Sequence, residues 1–561
     1  MSGHPKTLSG QVLAATAWNT LLLPARFLVA LIASVVYYRV LGLEQVGLLF
    51  LITSLAATLG FNADLGIERT LPRFLLEVEQ RSGRDGVRLL IRRVIRAKLL
   101  ILAVFALALV ALQRPLCGYV ASRERAAAST LEAQAAAADP AGAGQAQLQD
   151  RAQAKRRLAG QVESQGPLFV AVVCALLLFG ALYDVYMKVL TAYFKQRAWN
   201  LIGIVVTLLQ PVLVTSFILA GWGVTGVLLA IVVTPAIAVL LAWVQAHRAM
   251  AELPREATRT RLEPGLRRRF ARYAGVTYLT QLTTWFSDVE FVVFLAAALL
   301  GLEQVALLGF ACKFARDCAN YLWTPFSGVT TPVLTRIQQR EDPAALREAH
   351  ASLTRMVWLL IVPAGSGLLL MSPWLVALLY PKYESATSLT LVFLVATLTE
   401  ALLSVSQATL MVTERYAPLL ASRLIALSSL PLAYFLLPAL GAMGVAFGIG
   451  IARFSAAVLT FALARSALGL WLPAAFAARV ALASGFFAAI LTPLLLALGP
   501  APSPAGPRAT LIALLPLLGI AGLGAALYWL GLRWLGGLDD ADRRRLSELR
   551  VPLAWVLHRC L

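Results

Sequence analysis

The sequence predicts an all-α, polytopic membrane protein built on a duplicated helical unit, and three observations predict it. First, 59% of the 561 residues are hydrophobic and the mean hydropathy is +0.75. Apolar stretches recur from end to end, each roughly 20 residues or more and so long enough to cross a hydrocarbon core about 30 Å thick. Second, these stretches are continuous. In lipid the backbone must satisfy its own hydrogen bonds, so continuous apolar runs form helices, whereas strict alternation would mark a barrel. Third, the hexapeptide Leu41-Gly42-Leu43-Glu44-Gln45-Val46 returns unchanged as Leu300-Gly301-Leu302-Glu303-Gln304-Val305. Each copy ends one long apolar segment and begins another, the pattern of an internally repeated membrane unit whose halves can rock around a central site.

About fourteen spans follow in order, at 12–40, 45–68, 98–118, 167–190, 199–220, 223–246, 273–299, 304–333, 356–379, 386–412, 416–438, 441–465, 472–498 and 509–534. The first is expected to be a span and not a cleavable signal, because it runs on to Tyr38 without a small-residue cleavage pattern. The loops alternate in charge. Arg69, Arg73, Arg81, Arg84, Arg88, Arg92, Arg93, Arg96 and Lys98 lie in or flank the second loop, and eight arginines from Arg248 to Arg272 fill the sixth. Arg336, Arg340, Arg347 and Arg355 mark the eighth, and Arg543, Arg544, Arg545 and Arg550 the tail. The opposite loops at 41–44, 221–223, 300–303 and 438–441 contain no Lys or Arg. By the positive-inside rule both termini are expected in the cytoplasm, with the chain in the cytoplasmic (inner) membrane. The formal charge of +20 would point to nucleic acid in a soluble chain. Here it sits in loops, where it sets topology and meets anionic head groups, so no nucleic-acid partner is expected.

Residues 119–166 should lie outside yet carry Arg123, Arg125, Arg151, Lys155, Arg156 and Arg157; long loops escape the charge rule. The run is Ala/Gln-rich and is interrupted by Asp139-Pro140-Ala141-Gly142. It is read either as two helical extensions joined by a turn or as a disordered insert. The segment from Asp85 to Arg96 sets Leu89, Leu90, Val94 and Ile95 against basic residues, as an interfacial stretch or a simple linker would. Leu538-Asp539-Asp540-Ala541-Asp542-Arg543 has the acids-then-bases order of a helix start.

Ionisable groups inside a bilayer are costly and normally face a cavity or one another. Thr277, Gln281, Thr284 and Asp288 follow i, i+4, i+7, i+11 on the seventh span, and Lys313, Arg316, Asp317 and Asn320 follow i, i+3, i+4, i+7 on the eighth. On the first span Asn19 and Arg26 share a face across Pro24, and Ser54, Thr58 and Asn62 repeat every four on the second. Such stripes can line one water-filled cavity. Arg26, Lys313 and Arg316 would form its cationic wall, since a guanidinium matches two phosphate oxygens. The competing reading is structural pairing: Lys313 with Asp317, and Arg316 with Asp288. Glu400 shares a stripe with Thr397, Ser404 and Gln407, near Arg423 and Arg453 in sequence-adjacent spans. It either carries a coupling proton or Na⁺, or forms a structural salt bridge. Asp288, Asp317 and Glu400 are the ion-coupling candidates. Asp64 and Glu68, beside Arg69 and Arg73, and Asp184 with Lys188 are read as ion pairs at the membrane interface.

Catalysis is not indicated. His4, His247, His350 and His558 are terminal or in loops without metal-ligand spacing, and Cys117, Cys174, Cys312, Cys318 and Cys560 form no metal or disulfide framework. With no Walker sequence the chain does not read as an ATP-driven pump. An enzyme, a metal and a cofactor are therefore not expected. Gly444 and Gly448, and Gly519, Gly522 and Gly524, are read as packing glycines.

Tyr38-Arg39-Val40-Leu41-Gly42-Leu43-Glu44-Gln45-Val46-Gly47, followed after a span by Ala63-Asp64-Leu65-Gly66-Ile67-Glu68-Arg69, resembles the opening of oligosaccharide flippases. These form the polysaccharide-transporter branch of the multidrug/oligosaccharidyl-lipid/polysaccharide exporter superfamily, which commonly shows R-x-LG-x-E-x-x-G and then DLGL-x-R. The acidic run after the last span is similar too. The resemblance implies two pseudo-symmetric six-helix bundles plus two extra helices. Residues 1–246 would form the first bundle with the insert at 119–166, 247–272 a basic linker, and 273–465 the second bundle. The added pair would occupy 466–535 and a cytoplasmic tail 536–561. It implies alternating-access transfer of undecaprenyl-type, pyrophosphate-linked oligosaccharides for surface polysaccharide synthesis. Arg26, Lys313 and Arg316 would contact the pyrophosphate, and Asn19, Asn62, Gln281 and Asn320 would receive the sugar. Its expected partners are the lipid-linked oligosaccharide, membrane lipids, a coupling proton or Na⁺ and other polysaccharide assembly proteins. A peptidoglycan-precursor flippase and a drug/cation antiporter of the same superfamily are the alternatives, the latter disfavoured by the basic residues on spans 1 and 8. The long insert departs from the family's usual short loop.

Overall fold

The computed structural model describes residues 28–137, 143–193, 195–253, 265–286, 288–338, 342–499 and 507–536, and every regular element in them is helical. Asn19, Pro24, Arg26, the Asp139–Gly142 break and the run from Leu538 onward lie outside these residues. Ten helical stretches among the described residues are long and apolar enough to cross a membrane, with Leu28–Val40 and Glu290–Leu299 as shorter apolar helices. This is the all-α, polytopic membrane architecture expected from the apolar runs.

The chain forms two compact units, residues 1–309 and 310–561. In the first, α1 (Leu28–Val40) is followed by α2 (Leu43–Asp64), α3 (Ile67–Ala137), α4 (Ala143–Ser164), α5 (Gly166–Ala192), α6 (Gln196–Leu219), α7 (Gly223–Ala251), α8 (Leu266–Trp285), α9 (Val289–Leu299) and the start of α10 (Leu302–Gln338). The division falls later than the basic linker at 247–272 because α8 packs along α2 and α3. Gly66, at φ +75°, brings the corner between α2 and α3 so close to α8 that a Cβ there would lie 2.2 Å from Ala274 O. Phe61 stacks on Trp285, with ring centroids 5.6 Å apart, and Arg269 donates to both carboxylate oxygens of Glu77 at 2.9 and 3.1 Å.

The 71 residues of α3 are not one rod. Gly83, at φ 55° and ψ −157°, breaks the helical backbone, a conformation open to glycine at no steric cost. On either side, Leu71, Leu75, Val78 and then Val87, Leu90, Ile91, Val94 are buried in a shared core with Val185, Leu190, Ala246 and Met250. Arg88, Arg92, Arg93 and Arg96 on the opposite face are at least partly exposed. The segment from Asp85 to Arg96 is therefore a packed amphipathic helix and not a plain linker. Beyond its apolar stretch α3 continues to Ala137 and pairs with α4, so residues 119–166 contain two helices, the first of the two structures open to them. Ala121, Glu124, Ala128 and Ala135 are buried, as are Ala152, Lys155, Ala159 and Val162. Their spacing, mostly three, four or seven, is that of an antiparallel coiled-coil seam, and small alanines let the helices approach closely.

The second unit holds the rest of α10, then α11 (Pro343–Leu379), a 3₁₀ turn (Pro381–Ala386), α12 (Thr387–Val412), α13 (Tyr416–Ala426), α14 (Ser429–Leu440), α15 (Ala442–Leu468), α16 (Ala474–Ala497) and α17 (Pro507–Trp534). Asp342 caps α11 by accepting from the N–H groups of Ala344 and Ala345 at 2.9 and 3.1 Å, with Pro343 at the first helical position. The span expected at 416–438 is divided into α13 and α14 at Leu427–Ser428. The last two helices pack on α11 through Phe476, Val480, Phe487, Leu491 and Tyr528, and Tyr528 Oη donates to Leu359 O at 3.0 Å. Gly444 and Gly448 let α14 and α15 touch backbone to backbone: a Cβ would lie 2.3 Å from Leu436 O at the first and 2.5 Å from Ala433 N at the second. Of the other glycines read as packing residues, a Cβ on Gly524 would meet Leu491 Cδ1 at 2.8 Å, whereas one on Gly519 or Gly522 would meet nothing within 4 Å.

Gly448→Leu is accordingly expected to destabilise the second unit, overpacking costing about 1–3 kcal/mol. Gly519→Leu should be tolerated. Fluorescence-detected size-exclusion chromatography after heating of the detergent-solubilised protein checks both, and equal midpoints would contradict the close approach of α14 and α15.

Candidate functional site

The reversal at Gly83 has a chemical result. Glu68 and Lys98 are equidistant from Gly83 in sequence, so the two arms of α3 bring them together. Lys98 Nζ donates to Glu68 Oε1 at 2.7 Å and lies 3.0 Å from Asp64 Oδ1. Asp64 in turn accepts from the N–H of Glu68 at 3.0 Å. Lys98 is 4% exposed and Asp64 6%. On α5, Asp184 lies near enough to Glu68, Lys98 and Lys188 to interact with all three electrostatically.

The group therefore contains three carboxyls, one ammonium at its centre and a second beside it. With every group ionised the cluster carries one negative charge. A cavity of about 360 Å³ opens onto this cluster, bounded also by Thr53, Gly60, Phe61, Leu102, Leu177 and Ile231. At about 30 Å³ per water it can hold roughly ten. The site thus combines three clustered carboxyls, a buried cation and room for water in an otherwise apolar wall.

This arrangement corrects the expected pairings. Asp64 and Glu68 are ion-paired, but to Lys98, which is thirty residues beyond Glu68 in the chain, and not to the neighbouring Arg69 and Arg73, which are exposed. Asp184 faces Glu68 and Lys98 as well as Lys188. The sequence signal was the single lysine closing a run of arginines at the head of an apolar span. Its partners could be known only once the turn at Gly83 was known.

The residues proposed from helical stripes are distributed otherwise. Asn62 accepts from Tyr278 Oη at 2.8 Å and donates to Thr58 O at 2.8 Å, so the polar face of α2 does meet α8. Gln281 on α8 is buried. Asp288 is not on a continuous stripe with them: the helix expected over 273–299 is broken, α8 ending at Trp285 and α9 starting at Val289 with Asp288 as its exposed N-cap residue. In the second unit Lys313 lies 3.6 Å from Asp317, both side chains more than two-fifths exposed. Arg316 is half-buried beside them on α10 and Asn320, a turn further, is exposed. Glu400 is held by Arg453 through Nε at 3.1 Å and through Nη2. Arg453 is only 8% exposed, so this two-point pair has the form of a structural bridge between α12 and α15. Among the described residues no group of His, Cys, Asp and Glu could hold a metal ion.

Residues 167–387 match a family model described as "Polysaccharide biosynthesis protein". Two solved structures share the fold along most of their length. One, "Inward-facing conformation of a multidrug resistance MATE family transporter of the MOP superfamily", has a TM-score of 0.53 and 16% identity, covering 79% of this chain and 94% of that one. The other, "Lipid II flippase MurJ, inward closed conformation", has a TM-score of 0.58 and 12% identity, covering 93% and 99%. No curated protein sequence matches the chain. At these identities the structures show the fold. The family model describes polysaccharide biosynthesis, the process implied by the resemblance of the opening motifs.

Removing one partner of a buried pair costs about 3–5 kcal/mol, so Lys98→Met should sharply lower the thermal stability of the solubilised protein. Adding Asp64→Asn and Glu68→Gln should recover most of the loss. Arg156→Ala, at the exposed pair with Glu132, should cost at most about 1 kcal/mol. Thermal denaturation of the three variants tests this, and a K98M protein as stable as the parent would remove the cluster's structural importance.

Proposed function

We propose that the chain moves a lipid-linked, anionic oligosaccharide across the cytoplasmic membrane by alternating access, in surface polysaccharide synthesis. The observation that carries this reading is the match of residues 167–387 to a polysaccharide biosynthesis model on a chain with a transporter fold. Arg26, Lys313 and Arg316 are the cationic groups proposed to meet the phosphates, and Asn19, Asn62, Gln281 and Asn320 the polar groups for the sugar. Lys313 and Arg316 share one turn-length stretch of α10 at partial exposure, which suits charged groups that must reach a ligand. The basic loops are assigned to the cytoplasm, both termini with them, and the α9–α10 turn to the outside.

Proton coupling is proposed at Asp64, Glu68, Asp184 and Lys98, where carboxyls crowd one buried ammonium at the edge of a cavity. Of the candidates read from the helical stripes, Glu400 fits a structural role because Arg453 holds it at two points, and Asp317 has Lys313 beside it. A second reading, a peptidoglycan-precursor flippase, is favoured by the extent of the likeness to a lipid II flippase, 99% of whose chain is covered.

Deleting the gene should abolish surface glycan while full-length lipid-linked repeat units accumulate, identifiable by mass spectrometry of extracted lipids. Accumulated lipid II with a cell-wall defect would instead establish the second reading. Normal glycans with heightened sensitivity to cationic drugs would overturn both. Arg316→Ala and Arg26→Ala are expected to cut surface glycan by about tenfold or more at equal membrane level, as loss of a charge-assisted phosphate contact predicts.

A further inference from the structure

The two copies of the repeated hexapeptide begin helices in different ways. In the first, the N–H of Gly42 is met locally by Gln45 Oε1 at 3.0 Å. In the second, the equivalent Gln304 is exposed, and the cap comes from far along the chain: Glu124 Oε1 accepts from the N–H of Leu302 at 3.0 Å. Arg123 takes the other side of the same turn, donating to Ala298 O at 3.1 Å and Leu299 O at 2.8 Å. Tyr119 Oη also donates to Ala298 O, at 3.2 Å.

Two adjacent residues of α3 thus grip both helix ends that face the α9–α10 turn. The cation is on the carbonyl end of α9 and the anion on the amide end of α10, each matching the local helix dipole. The grip is braced from behind. Glu124 is 1% exposed, and its second oxygen meets Lys155 of α4 at 3.0 Å inside the coiled-coil seam. Lys155 is also 3.9 Å from Glu303.

What the turn is held against is the other copy of the repeat. A Cβ on Gly47 of α2 would lie 2.0 Å from Leu302 O. Val46 and Val305 are fully buried, and a Cβ on Gly309 would meet the Phe50 ring at 2.9 Å. The copies diverge just after the hexapeptide, at Gly47 and Ala306, and Gly47 is where the backbone of α10 passes.

We propose that the α3–α4 hairpin is a clasp. It holds the α9–α10 turn against the start of α2, and those two helix starts part only when Arg123 and Glu124 release the turn. The inference rests on the alternating-access reading, in which the outer ends of these helices separate once per cycle. The insert thereby sets how readily that end opens.

The test reads opening without any cargo. In a chain with its native cysteines replaced, Val46→Cys places a thiol in the closed contact, and a membrane-impermeant maleimide is added from outside to whole cells. Arg123→Ala removes the grip on α9 while leaving the coiled-coil seam intact. The swap of Glu124→Lys with Lys155→Glu keeps the seam's ion pair but sets a cation against the amide end of α10. Each is expected to raise the labelling rate at position 46 by on the order of tenfold, as loss of a charge-assisted contact predicts. Hydrogen exchange should rise at residues 298–305 with the hairpin still protected. If labelling stays at the parent rate in both variants, whatever exchange does there, the hairpin caps the turn without controlling opening, and the proposal fails. Fast labelling in the parent chain itself would also overturn it. Glycan accumulation in the deletion strain tests the cargo alone, so the two readings fail separately.

Discussion

An ammonium group in an apolar interior is tolerated only if its donors are met by groups of opposite charge already in place. Lys98 imposes that condition on the first unit. Its partners come from the end of α2, from the first turn of α3 and, through Glu68, from α5. None of these can shift without exposing a charge to the apolar wall of the adjoining cavity. Gly83 and Gly66 supply the two backbone turns that make the meeting possible, and the second of them also seats α8 on the corner beside the cluster. A single buried charge therefore ties together elements that hydrophobic contact alone would leave free to slide.

The same covalent arm of α3 ends in a second buried Lys–Glu pair. From Lys98 to Glu124 a helix rises about 39 Å at 1.5 Å per residue, more than the roughly 30 Å of a hydrocarbon core. One helix thus runs from the buried charge cluster at the basic end of the unit to the clasp on the α9–α10 turn at the other. Pro115 lies within this arm, at the transition between its lipid-length stretch and the hairpin. Both pairs close a helical hairpin, but with different surroundings. Lys98 has three carboxyls about it and a cavity, so protonation can change its environment. Lys155 sits in an alanine seam where the other oxygen of Glu124 is already engaged by Leu302.

The second unit uses charge more conservatively. Arg453 and Glu400 join α12 to α15 in a two-point pair, and Gly444 and Gly448 set α14 against α15 at backbone distance. Small residues at close crossings and a two-point ion pair are what helices need in lipid, where apolar side chains gain nothing by leaving the solvent. Lys313, Arg316 and Asp317 stand apart from this framework at partial exposure on α10, the condition a ligand-binding charge requires.

Composition and pattern settled the class of this protein, because the cost of unpaired backbone in lipid leaves a continuous apolar run of about twenty residues only one structure to adopt. The helical character of the spans was legible for that reason, and the close packing at Gly444 and Gly448 was legible from the spacing of small residues. The coiled-coil seam was legible in principle, in the spacing of Ala121, Glu124, Ala128 and Ala135, but alanine is too weakly apolar for the pattern to stand out. Asp288 was misplaced on a continuous stripe because no proline announces the break between Trp285 and Val289. What remained for the folded chain to decide was which charges meet. Lys98 with Asp64 and Glu68, Asp184 with Glu68, and Glu124 with Leu302 are separated in sequence by up to 178 residues. A charge pattern along one helix gives the face a residue occupies but not the helix that will be packed against it.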